Sequence, residues 1–104
     1  MIVTTTNAVE GRPATEYLGV VCAQSVLGVN VFKDVAAGMR NVFGGRSRSY
    51  ENELGAGVAG TLEELEKQAA ALSADAVLGV DIDYESVGEK MLMVSASGTA
   101  VRLT

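Results

Sequence analysis

The chain has 104 residues, 48% of them apolar and 20% charged, which is enough for one domain with a packed core and too little charge for a disordered segment. A net charge of −5 and the absence of histidine exclude a phosphate-neutralising nucleic-acid face and remove the commonest general base and transition-metal ligand. One cysteine, Cys22, rules out a disulfide within the chain and a tetrahedral Cys/His zinc site, and no apolar run is long enough to cross a bilayer.

The chain opens on β-branched residues, MIVTTT, which predict a short strand over 2–6. Asn7, Gly11 and the only proline, Pro13, then mark a turn. Residues 15–27 read as a long valine-rich strand, apolar on both faces, with Cys22 buried and inert between Val21 and Ala23. Asn30 is a good helix N-cap, and Phe32, Val35, Ala36, Met39, Val42 and Phe43 follow at helical spacing before the Gly44-Gly45 stop. A second helix is expected from Ser47 or Ser49 to Leu72, with its apolar stripe on Leu54, Val58, Leu62, Leu65, Ala69 and Leu72. Gly55, Gly57 and Gly60 cost it about 3 kcal/mol of propensity. Thr61 with Glu64 forms a capping box at which the helix could restart.

Strands over 76–86 and 90–103 close the chain, joined by a hairpin loop at Gly88. The order ββααββ groups strands and helices, so the expected fold is α+β, a mostly antiparallel sheet with two helices on one face, in a single domain over 1–104. A fourteen-residue strand runs to about 48 Å, longer than the roughly 33 Å diameter of a compact domain of this size. The last strand must bend, with Gly98 the candidate place, or reach beyond its own domain. Long apolar strands with little lysine also leave unguarded edges, so self-association is expected.

The clearest chemical feature is Asp81, Asp83 and Glu85, three carboxylates two residues apart on one strand face, opposite Val80, Ile82 and Tyr84 on the core side. A loop over 88–90 sets Asp83 opposite Ser95 and Asp81 opposite Ser97, whereas a two-residue Gly88-Glu89 turn would set Asp83 opposite Val94; polarity favours the first. The band reads as a solvated face, as a hard-cation site for Ca²⁺, Mg²⁺ or Mn²⁺, or as a general acid/base pair. Near the glycine pair, Arg40, Arg46, Ser47 and Arg48 offer guanidinium groups and helix N-terminal amides to an anion, or simply cap the helix. GGRS lacks the GK[ST] ending of a phosphate-binding P-loop. Met91 and Met93 read as core or interface filler.

Taken together, MIVTTT, EYLGVV at 16–21, LGVNVFKD at 27–34, GGRSRSYE at 44–51, DAVLGVDIDYE at 75–85 and MLMVSASGTAV at 91–101 resemble the YbjQ-like family over nearly the whole length. The resemblance implies a dodecin-like α/β subunit assembled into a cytoplasmic homopentamer or pair of pentamers, in a family that carries a heavy-metal-binding label. The chain departs from the usual family pattern in LGAGVAG, in Cys22 where threonine is common, and in Gln24 where an acid is common. The expected function is a non-enzymatic ring that holds a divalent metal cation or small ligand at an acidic site between subunits. An enzyme acting on a small anionic substrate and a ligand-free scaffold are the alternatives. The N-terminus has no secretory layout, so a cytoplasmic location is expected, with no nucleic-acid or membrane partner.

Overall fold

The computed structural model describes residues 1–27, 48–88 and 91–104. The helix expected over 31–43 lies outside them. The described elements are β1 (Ile2–Val3), β2 (Ala14–Leu27), α1 (Arg48–Ala71), β3 (Ala76–Ser86) and β4 (Leu92–Leu103). One helix lies among four strands, so the described order is ββαββ. The sheet is mixed, in the order β1-β3-β4-β2: β1 runs parallel to β3, and both remaining pairs are antiparallel. The first strand is shorter than expected. Past Val3 the chain stays tied to β3, since the Thr4 amide donates to the Val77 carbonyl and the Val80 amide to the Thr4 carbonyl, both at 3.0 Å.

The helix covers one face only. Leu65 and Ala69 of α1, both fully buried, pack on Val21 and Ala23 of β2, Val77 and Val80 of β3, and Ala96 and Ala100 of β4. At one end of the opposite face, Val9 and Ala14 cover Ala76, Leu78, Val101 and Leu103. Among the described residues, none covers the middle of that face. Val20 is 77% exposed there, and Cys22, expected to be buried, is also exposed. From Val21 onward alternate residues of β2 face α1, and among the described residues no second layer covers the others.

α1 runs through Thr61 without a break. Thr61 is 1% exposed, and its hydroxyl lies 2.8 Å from both the Gly57 carbonyl and the Ser25 hydroxyl. A carbonyl can only accept, so the single Thr61 proton goes to Gly57 and the Ser25 hydroxyl donates in turn. The threonine tethers the helix to β2 instead of capping a new one. Gly57 allows the close approach of Leu27, whose Cδ2 would stand 3.2 Å from a β-carbon at that position. The helix ends in a 6→1, 5→2 pair, Ala74 N to Ala69 O at 3.1 Å and Ser73 N to Ala70 O at 2.9 Å, with Ser73 at φ 62°. That turn carries the chain off the helix axis, so Leu72 ends 43% exposed instead of completing the stripe.

Candidate functional site

The hairpin register is the one polarity favours: Asp81 stands opposite Ser97 and Asp83 opposite Ser95. A β-bulge makes this possible. Between the pairs Leu78↔Thr99 and Asp81↔Ser97, two residues of β3, Gly79 and Val80, face one residue of β4, Gly98. Gly79 takes φ +61° and resets the alternation. Leu78 and Asp81 therefore share the face away from the helix, while Val77 and Val80 both turn into the core. Without the extra residue, the carboxylates would point under α1. At Gly98, where a bend of the last strand was the expectation, the pairing has this bulge, whose extra residue belongs to β3.

Beyond the bulge, β2 extends each row. Cys22, Ser97 and Asp81 form one row across the open face, and Gln24, Ser95 and Asp83 form the next. Val26, Met93 and Glu85 form the third. Cys22 and Gln24 were not paired with the acids by the sequence, because the β2–β4 register depends on contacts some seventy residues apart. Tyr84, expected on the core side, is 54% exposed. Met91 is likewise exposed.

The band has its own electrostatics. A hydrogen bond shared by the Asp81 and Asp83 carboxyls, then the Asp81 charge, partial desolvation and the Glu85 charge, push Asp83 above its ordinary value of 3.8. Each of these favours the neutral acid.

A single copy does not supply a heavy-metal site. Among the described residues no three Cys, Asp or Glu side chains gather as metal ligands. Cys22 stands two strands from Asp81, about 10 Å at the usual interstrand spacing. Carboxylates spaced along a strand also lie about 7 Å apart at their Cα atoms. Arg46 and Ser47, the expected anion-binding residues, lie outside the described residues, and Arg48 is the first residue of α1. Along the outer border of β2 a cleft opens towards α1, lined by Cys22, Gln24, Ser25, Gly60, Glu64 and Gln68. There Gln68 Oε1 accepts the Cys22 amide at 3.3 Å.

A family model described as "Putative heavy-metal-binding" matches residues 1–104. This chain is a member of the YbjQ family. Two relatives, each named "UPF0145 protein", come from Acetivibrio thermocellus, 52% identical, and Clostridium kluyveri, 55% identical. Each alignment covers 103 residues and 97% of both chains. A crystal structure from Pediococcus pentosaceus, a protein of unknown function assigned to the DUF74 family, superposes with a TM-score of 0.73. It covers 100% of this chain and 98% of its own at 22% identity, so it supports the α+β fold alone. No helix among the described residues is long and apolar enough to cross a membrane.

Proposed function

We propose that this YbjQ-family chain is a subunit of a ring-shaped homo-oligomer, a pentamer or paired pentamer, that holds a divalent cation at an acidic site between copies. Asp81, Asp83 and Glu85 supply its oxygen ligands. The half of the sheet that no described residue covers carries this reading. The molecule measures 50 × 27 × 15 Å with a radius of gyration of 16.3 Å, against about 13 Å for a compact domain of this length. Tyr17 and Val20 stand 75% and 77% exposed on that flat surface. A second copy is the simplest cover for such a surface, and it brings further ligands to carboxylates that, among the described residues, gather no group of three within one chain.

Isothermal titration of the purified protein with Mn²⁺ and with Zn²⁺ tests the cation. Saturable heat is expected from the wild type and its loss from Asp81→Asn/Asp83→Asn. No heat from either ion with the wild type contradicts cation binding.

A further inference from the structure

Two stretches of sheet border lack backbone partners among the described residues. One is the outer edge of β2, whose outward amides include that of Cys22, which Gln68 caps, and by the two-residue period those of Gln24 and Val26. The other is the outward side of β3 from Asp81 to Ser86, because the contacts of the first strand segment with β3 end at Val80. These borders lie on opposite sides of the sheet. Resting on the self-assembly proposed above, we propose that the Asp81–Ser86 edge of one copy pairs with the β2 edge of the next, setting its carboxylates beside the partner's Cys22 and Gln24.

Charge favours this pairing over the symmetric ones. Two β3 edges meeting each other would set Asp81, Asp83 and Glu85 against the same acids, and like charges across a strand pair destabilise it. The β2 edge carries no charged residue from Tyr17 to Leu27, and it offers the Gln24 amide and the Cys22 thiol as neutral neighbours. Two β2 edges meeting each other would leave both β3 edges open. Joining unlike edges satisfies both borders of every copy once the ring closes. β2 and β3 both run antiparallel to β4 and so point the same way. Copies related along the sheet therefore pair in parallel.

The ligand chemistry changes with the interface. Within one copy β4 separates the thiol from the carboxylates, about 10 Å apart, whereas across the joint they sit one strand spacing apart, about 5 Å. A mixed sulfur and oxygen set suits a borderline divalent cation such as Zn²⁺ or Cd²⁺ better than Ca²⁺ or Mg²⁺.

Engineered cysteines read the geometry directly. Asp81→Cys, Asp83→Cys and Glu85→Cys are made singly, keeping Cys22, and oxidised with diamide, which takes up the two hydrogens as each disulfide forms. Cys22 and the new cysteine are too far apart to join within one chain, so each bond must link two copies. At least one variant is expected to give a ladder of covalent trimers and larger species on non-reducing gels. That ladder should vanish when Cys22→Ser is added. Multimers in native mass spectra with no ladder from any variant overturn the pairing and leave self-assembly standing. Covalent dimers that persist after Cys22→Ser overturn it in favour of β3 against β3. A monomeric wild type overturns both.

Discussion

At Gly98 a β-carbon would sit 2.6 Å from Val77 Cγ1, 3.1 Å from the Leu78 carbonyl oxygen and 3.2 Å from Val80 Cγ2. Two of these neighbours are core side chains and the third is backbone, so the bulge itself must shift to admit it. Gly98→Ala should cost about 1–3 kcal/mol, read as a lower urea midpoint, and an unchanged midpoint would show that the bulge yields freely. Ser73 holds a left-handed conformation at φ 62° in the turn after α1. Ser73→Gly relieves that at about 1 kcal/mol and should raise the thermal midpoint; a fall would mean that the serine hydroxyl matters more than its backbone. Asp83 gives a pH dependence. The folded state holds its proton more tightly than the unfolded chain, so stability falls as pH rises from 3.8 through the raised value. Asp83→Asn should therefore stabilise the protein at pH 7 in metal-free buffer and lose that advantage below the ordinary aspartate range. An equal effect at both pH values would contradict the carboxyl pair.

The secondary elements were largely legible. Helical spacing from Leu54 to Ala69 marks α1, and alternation from Val80 to Ser86 together with the Gly88 turn sets the β3–β4 register to the residue. What the sequence misplaced depends on partners distant in the chain. Thr61 carries a capping-box pattern, yet a buried tie to Ser25 outweighs it, because threonine serves either role and only tertiary contact selects one. Thr61→Val keeps the shape and leaves the Ser25 hydroxyl without its partner. The expected loss is about 1–3 kcal/mol, measured by chemical unfolding with helix content followed by circular dichroism; no loss would mean that water replaces the bond. Cys22 was misplaced for a similar reason. Valine-rich β2 reads as covered on both sides, and nothing local reveals that, among the described residues, a helix lies on one side alone.

For the whole molecule, the candidate carboxylates and their β4 partners could be read from the chain, but the β2 residues two strands away could not. The bulge that turns them outward was visible only as two glycines, Gly79 and Gly98, with no local sign that they stand opposite each other. Among the described residues the consequence is a sheet with one bare face and two open borders. Sedimentation velocity at low micromolar concentration tests this most directly. One discrete species whose mass is a multiple of 10.8 kDa, unchanged on several-fold dilution, is expected, and a folded, stable particle of 10.8 kDa would overturn the self-assembly.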